Sequence, residues 1–148
     1  MQIKSDAFKN GGMIPVKFTC EGPNISPPMT FIDVPKEAKS LVLMVEDPDA
    51  EAKPWVHWMV FNIPPDAKGF EENSIAKGAQ QGLCNGNTLG YEGPCPRYFK
   101  GIHHYRLCLF AIDQLLNLPA ASEKEDVMRA MDSHVIDKAL ITGICTSR

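Results

Sequence analysis

The sequence predicts an all-β fold, an antiparallel β-sandwich with one or two short helices. Eleven of the twelve prolines precede His103. Because helix interiors exclude proline, the first two-thirds of the chain is expected to be strand and loop. Short apolar segments there are separated by glycine and proline turns, and a clear helical pattern occurs only near the C-terminus. The 148 residues fit a single domain, 1–148, large enough to bury its own core.

The N-terminal part of the chain carries three short strand patterns, over residues 4–8, 16–20 and 29–34. Gly11-Gly12 and the cluster Glu21-Gly22-Pro23-Asn24 are turn signals that separate them. We therefore expect short strands joined by tight turns in this part.

Two longer strands follow. Residues 41–45 are apolar at every position, which is typical of a strand covered on both faces. Residues 56–63 alternate, and this predicts one shared face for His57, Met59, Phe61 and Ile63. The short connection favours antiparallel neighbours, so Asp47 is expected near His57 at one edge of the sheet.

Residues 66–81 are polar and predict no regular structure, and residues 82–105 form a long loop rich in glycine and proline. A loop of this length in a compact domain usually has a function. It ends on a strand predicted over 103–112, which places His103 and Tyr105 on one face and His104 on the other.

One helix and a closing strand complete the prediction. Ser122 with Glu125 three residues later predicts a capping box, and Val127, Met131 and Val135 recur at four-residue spacing. Residues 139–145 predict the closing strand.

The composition disfavours several classes of protein. A net charge of −3 gives no field that would gather nucleic acid or anionic membrane. No apolar run approaches the roughly 18 residues of a membrane span. The N-terminus lacks the apolar segment of a signal peptide, so we expect a cytoplasmic protein.

The five cysteines fit thiols that pack as small apolar side chains in a reducing compartment. They contain no Cys-x-x-Cys pair, so no metal site is expected from them. Cys84 and Cys95 bracket part of the long loop, and a bond between them stays open for an exported chain.

Polar residues concentrate at predicted strand ends beside these loops, where binding groups are commonly found: Asp47, Asp49, His57, His103, His104 and Tyr105. An anion such as phosphate would suit a pocket lined by two imidazoles, a carboxylate, a phenol and the backbone N–H groups of Gly90 or Gly93. The carboxylate would orient an imidazole and favour its charged form.

Catalysis is the alternative use of the same residues. Asp47, His57 and His103 have the chemistry of a metal site, although the H-x-D or H-x-E pairs that often mark such sites are missing. No serine or cysteine nucleophile has an identifiable base, and no G-x-S-x-G turn exists.

Several motifs occur in one order along nearly the whole chain: FTCEGPNISPP (18–28), VEDPDA (45–50), WVHW (55–58) with FNIPP (61–65), GYEGPCP (90–96) with GIHHY (101–105), and HVIDKALITGICTSR (134–148). Together they resemble the phosphatidylethanolamine-binding protein family, in its short bacterial and archaeal branch of Raf kinase inhibitor-like proteins.

The resemblance implies an antiparallel β-sandwich with a small anion pocket at one end. In the family this pocket binds phosphate-like groups and, in eukaryotic members, phospholipid head groups or phosphorylated partners. The resemblance implies a ligand-binding role for the residues that match the family's motifs: Asp47, His57, Gly93, Pro94, His103 and Tyr105. We add Trp55, which flanks His57 as pocket wall.

Departures from the family pattern affect the mouth of this pocket. Glu51 stands where a proline is usual and adds a negative charge. Arg97 stands where a second proline is common and is expected to offset that charge. The animal members' additional C-terminal helix has no counterpart before Arg148, so kinase inhibition transfers poorly.

These observations predict a non-enzymatic binding protein, without cofactor or metal, for a phosphate-bearing ligand such as a phospholipid head group, nucleotide or phosphorylated peptide. It would regulate a kinase or another partner. One alternative is a phosphoester hydrolase or metal-dependent enzyme that uses the same Asp/His pocket. Another is an interaction module that inhibits a kinase or protease through a homodimer surface.

Overall fold

The computed structural model describes residues 1–148, which form nine strands and one α-helix. The elements are β1 (Gln2–Lys4), β2 (Gly12–Met13), β3 (Met29–Ile32), β4 (Ser40–Asp47), β5 (Trp55–Ile63), β6 (Gly69–Phe70), β7 (Gln80–Gln81), β8 (Ile102–Ile112), α1 (Lys124–Met131) and β9 (Val135–Thr146). The smaller sheet has the order β1-β3-β6, and the larger has the order β2-β9-β8-β4-β5-β7. All pairs are antiparallel except β2 with β9, so the predicted fold class is confirmed.

The two faces of the larger sheet are covered by different partners. The core between the two sheets, called the inner core, includes Ile3 of β1, Phe31 of β3 and Leu43 of β4. Its outer core packs beneath α1 and joins Val42 and other strand residues to Val127 and Met131 of the helix. β4 lies between β5 and β8, and its side chains pack into both cores. Its residues 41–45 are therefore all buried, which explains the unbroken apolar run.

Two β-bulges interrupt the alternation of β5. Val45 is opposite Trp58 while Glu46 is opposite Val56, so His57 is the extra residue at the first bulge. The second bulge lies between Val60 and Ile63. A bulge changes the face on which the neighbouring side chains lie.

The bulges make the predicted shared face of β5 wrong at both of its ends. Met59 and Phe61 belong to the outer core, but Ile63 packs in the inner core. His57 lies at the sheet edge, beside inner-core residues. Period-two alternation holds only between bulges.

The N-cap of the C-terminal helix lies one residue later than predicted. Glu123 is the N-cap, and its capping box is closed by Asp126, whose carboxylate accepts from the Glu123 N–H at 3.0 Å. Ser122 instead donates its hydroxyl to the Pro119 carbonyl oxygen. The closing strand is confirmed, but it starts at Val135. The prediction that Val135 continues the helical spacing is therefore wrong, because the helix ends at Met131.

Shorter elements were poorly predicted. Residues 16–18 form a 3-10 helix instead of a strand. Within 66–81, which predicted no structure, two-residue strands β6 and β7 each complete a sheet edge. Such short strands have too few side chains to show a period.

The cysteine predictions were wrong for two residues. Cys20 and Cys95 form a disulfide, with Cα atoms 5.1 Å apart. Cys84 does not pair with Cys95, because Cys95 is bonded to Cys20. The Cys84 thiol is buried beside the carbonyl oxygens of His57 and Gly90, at 3.0 and 2.9 Å. Burial raises the pKa of the Cys84 thiol to about 12.

The helix is too short and too polar to cross a lipid bilayer.

Candidate functional site

A cavity of about 590 Å³ opens at one edge of the larger sheet, where β4 ends and β5 and β8 begin. The part of the long loop around residues 92–100 forms its other wall. The cavity is lined by Asp47, Asp49, Ala50, Glu51, Trp55, His57, Glu92, Gly93, Cys95, Tyr98, Phe99, Lys100, His103 and Tyr105.

Asp47 and His103 form a buried pair on the strand side of the cavity. Asp47 is 4% exposed and His103 is 9% exposed. The carboxylate Oδ2 lies 2.6 Å from Nδ1 of His103, and Oδ1 accepts the Asp49 N–H at 2.9 Å. The His103 ring also stacks on Phe99, with ring centroids 3.9 Å apart. The imidazole is therefore fixed in orientation, with its Nε2 atom directed away from Asp47.

His57 is held differently, by the backbone of the long loop. Its Nδ1 lies 2.6 Å from the carbonyl oxygen of Glu92, and the Glu92 N–H donates to the His57 carbonyl oxygen at 2.9 Å. Burial lowers the pKa of His57, while the bond to Glu92 and the charge of Asp47 oppose the shift. Asp47 therefore orients the ring of His103, and the Glu92 carbonyl orients the ring of His57.

Tyr105 forms the floor between the two histidines. Its ring packs edge-on against His57 at a centroid distance of 5.0 Å, and the residue is 2% exposed. Burial raises the pKa of the Tyr105 phenol, and the negative charge of Asp47 raises it further. The hydroxyl therefore stays protonated across the physiological range.

The loop wall is tied to the N-terminal segment by a disulfide and by hydrogen bonds. The disulfide joins Cys95 to Cys20, the Tyr91 hydroxyl donates to the Phe18 carbonyl oxygen at 2.7 Å, and the Gly93 N–H donates to Asn24 Oδ1 at 2.9 Å. A Cβ at Gly93 would overlap the Phe18 carbonyl oxygen, so only glycine allows this approach. The predicted free N–H of Gly93 is thus already used within the protein.

The lining of the cavity is rich in acidic residues. Asp47, Asp49, Glu51 and Glu92 line the cavity, with Lys100 as their only lysine or arginine counterpart. Arg97 does not offset Glu51, because its guanidinium lies 2.7 Å from the Glu21 carboxylate and outside the cavity lining. Asp49 in turn accepts from the exposed His104, and this bond lowers the pKa of Asp49.

The sequence is similar to known proteins of one family. The sequence model of the phosphatidylethanolamine-binding protein family matches residues 4–146. This chain belongs to that family. Its relatives include a UPF0098 protein of Methanothermobacter thermautotrophicus, 47% identical, and one of Chlamydia trachomatis, 43% identical. Each match covers 97% of this chain and 97% of the relative.

Solved structures of the family superpose on nearly the whole chain. A putative phosphatidylethanolamine-binding protein homolog from Chlamydia trachomatis gives a TM-score of 0.93 at 39% identity, covering 99% of this chain and 97% of that one. E. coli YbcL, described as a member of the mammalian family, gives a TM-score of 0.92 at 28% identity, covering 99% and 98%.

The phosphatidylethanolamine-binding protein fold brings together six of the seven predicted site residues. Asp47, Trp55, His57, Gly93, His103 and Tyr105 line one cavity. Pro94 does not line it: this residue packs in a small apolar pocket behind His57 and Tyr105. Gly90 lies in a separate cleft beside Trp58. His104 is exposed and outside the cavity lining, as its strand position predicted.

Sequence reasoning missed Glu92 and Phe99, each of which fixes a histidine ring. Glu92 acts through its backbone carbonyl, which carries no residue-specific signal, although its place in the GYEGPCP motif marked the loop. No group of three or more His, Cys, Asp or Glu side chains lies close enough together to hold a metal ion.

Proposed function

We propose that this protein is a non-enzymatic binding protein whose cavity holds the phosphate of a small ligand, head group or phosphorylated peptide. One observation carries the proposal: two buried histidines with anchored Nδ1 atoms line the same cavity. The hydrogen bonds that hold the two rings use Nδ1, which leaves each Nε2 atom for a ligand.

The two fixed histidines of the cavity suit a compact polar ligand. The imidazoles are fixed before binding, so little side-chain entropy is lost when they engage a ligand. Protonation converts Nε2 of each ring into a donor, and hydrogen bonds from a charged donor to phosphate are about twice as strong as neutral ones. Lys100 adds a cation at the mouth.

The names of relatives agree with this class of ligand. The family's description and that of the Chlamydia trachomatis structure both refer to phosphatidylethanolamine, a phosphate ester. The phosphate is the part of such a ligand that the cavity's histidines would recognise.

Histidine NMR resonances test the proposal. Phosphate or phosphoethanolamine at millimolar concentration should shift the signals of His57 and His103 in spectra recorded between about pH 5.5 and 7.5. His103→Ala should weaken the binding about tenfold or more, because a hydrogen bond to a charged group is lost.

The matched control is His134→Ala. His134 pairs with Asp113 at 2.7 Å on the exposed surface and does not line the cavity. This variant should bind like the parent protein. The proposal fails if neither ligand changes any histidine resonance, or if His103→Ala binds as well as the control.

A further inference from the structure

The disulfide between Cys20 and Cys95 lies in the wall of the cavity. Cys95 lines the cavity and is half-buried, so a thiol from solution can approach the bond from that side. Cys20 is also half-buried and belongs to the N-terminal segment, 75 residues away in the sequence. The other three cysteines, Cys84, Cys108 and Cys145, are free thiols. The disulfide is therefore the covalent link that holds one wall of the proposed binding site.

Both loop residues that fix a histidine ring lie close to Cys95 in the sequence. Glu92 precedes it and holds Nδ1 of His57 through its carbonyl oxygen. Phe99 follows it and stacks on the ring of His103. His103 has a second support on the strand side of the cavity, whereas the ring hydrogen bond of His57 goes to the loop. Movement of the loop should therefore change the position of His57 most.

The other ties between the loop and the N-terminal segment are non-covalent. Pro94 accepts the Cys20 N–H at 2.9 Å, and Gly93 donates to Asn24 at 2.9 Å. Each such hydrogen bond contributes modestly to stability, and the disulfide restricts the loop when these bonds open. Without the disulfide, the loop should leave its closed position more often. The hydrogen bonds should still keep the two sulfur atoms close enough for the disulfide to form again.

We propose that the Cys20–Cys95 disulfide is a redox switch of the cavity, which a dithiol reductant opens and which weakens phosphate binding when it is reduced. The inference rests on the proposed phosphate-binding function and adds its regulation.

Reduction proceeds by thiol–disulfide exchange. A thiolate of the reductant attacks the Cys95 sulfur, forms a mixed disulfide and releases Cys20 as a thiolate. The second thiolate of the reductant then displaces Cys95 and closes the reductant's own disulfide. The reductant is oxidised by two electrons, and the two protons that its thiols lose are balanced by those that the protein thiolates gain.

Ligand binding and reduction should oppose each other. If reduction weakens the binding of a phosphate by some factor, bound phosphate must make the disulfide harder to reduce by the same factor. A ligand that fills the cavity should also cover Cys95 and block the attacking thiolate. The ligand-bound protein should therefore be reduced more slowly than the free protein.

Calorimetric titration with phosphoethanolamine tests the switch on the intact protein, oxidised in one sample and reduced by dithiothreitol in the other. Reduction should weaken binding about tenfold, the factor expected when a hydrogen bond to a charged group is lost. Reoxidation should restore the original affinity. Thiol titration in denaturant verifies the two states, with three thiols in the oxidised protein and five in the reduced protein.

Cysteine variants show which sulfur atoms are responsible. The double variant Cys20→Ser, Cys95→Ser should bind phosphoethanolamine like the reduced parent protein and should not respond to dithiothreitol. Cys108→Ser is the control, because Cys108 is a half-buried free thiol on β8 and lies outside the cavity lining. This variant should keep the full difference between its oxidised and reduced forms.

The rate of reduction is a second measurement, which starts from the oxidised protein alone. Phosphoethanolamine at millimolar concentration should slow the reduction by dithiothreitol severalfold, as followed by the appearance of thiols. His103→Ala should lose this protection because its binding is weakened. His134→Ala should keep it, since His134 lies outside the cavity lining.

The outcomes separate the switch from the proposed function. Equal affinities of the oxidised and reduced parent protein would overturn the switch while leaving phosphate binding in place. If the oxidised protein does not bind phosphoethanolamine, the proposed function itself fails. Should the reduced protein and the double variant not stay folded, the reduction rate decides, and equal rates with and without phosphoethanolamine would overturn the switch.

Discussion

The two sides of the cavity hold a histidine in contrasting ways. On the strand side, His103 lies on β8 and faces the Asp47 carboxylate of the neighbouring β4. On the loop side, His57 lies on a bulge and faces a backbone carbonyl of the loop. When protonated, His103 has a negative partner at 2.6 Å, whereas a protonated His57 would meet a neutral one.

This difference shows that position in the fold, as well as residue type, sets what an imidazole can do. Neighbouring strands place side chain against side chain, so a carboxylate can face a ring directly. The loop offers its backbone and needs its own anchors to the N-terminal segment, at Cys20, Phe18 and Asn24. The strand side should therefore survive changes that disturb the loop side.

Removing the disulfide gives the largest expected effect and tests that independence. The double variant Cys20→Ser, Cys95→Ser should lose about 2–5 kcal/mol of unfolding free energy, since the bond spans 75 residues. Urea denaturation measures the loss, and reducing the parent protein should reproduce it. His57 resonances should change more than those of His103.

Cys108→Ser is the control for the cysteine substitutions, because Cys108 is a half-buried free thiol on β8. Its unfolding free energy should change less than that of the double variant. Equal disturbance of both histidine signals in the double variant would show that the two sides are not independent.

Removing Asp47 should disturb the strand side of the cavity and lower the unfolding free energy by less than removal of the disulfide does. Asp47→Ala leaves Nδ1 of His103 and the N–H of Asp49 without their acceptor in a buried setting. The expected loss is about 2–3 kcal/mol of unfolding free energy.

An exposed pair of the same kind provides the comparison. His134 and Asp113 are 2.7 Å apart, and Asp113→Ala should cost no more than about 1 kcal/mol, as surface pairs generally do. If both aspartate variants lose the same amount in urea denaturation, burial does not strengthen the Asp47 pair.

The smallest expected effect concerns the pH dependence of the loop side. Burial lowers the pKa of His57 in the folded protein, so the unfolded chain binds the proton more readily. The contribution of His57 to the unfolding free energy is therefore fully present above about pH 6.5. It is lost as the pH falls from there toward the lowered pKa of the folded protein.

The slope from His57 should not exceed about 1.4 kcal/mol per pH unit. His57→Gln should remove that part of the slope between about pH 5 and 6.5, as measured by urea denaturation at each pH. An unchanged slope would mean that His57 titrates alike in the folded and unfolded chain.

The sequence predicted the strand side well because its signals are local. The apolar run of residues 41–45 identified β4, and alternation over β8 placed His103 and Tyr105 inward and His104 outward. The antiparallel pairing of β4 with β5 followed from a short connection.

The loop side could not be predicted in the same way. Its decisive contacts join residues far apart in the chain, such as Cys20 with Cys95 and Gly93 with Asn24. The Glu92 carbonyl would be present whatever side chain stood at that position. Nothing in residues 55–63 shows a bulge, so alternation misplaced His57 and Ile63.

The bulge at His57 has a consequence for how this segment tolerates insertions and deletions. Deleting Val56 would close the bulge and place His57 opposite Glu46, on the face that Met59 and Phe61 share beneath the helix. A substitution at His57 changes the chemistry of the cavity, but this neighbouring deletion would insert the polar ring of His57 into an apolar layer. Changes of length should therefore be tolerated better in the exposed turn residues 52–54, which lie outside the cavity lining, than at Val56.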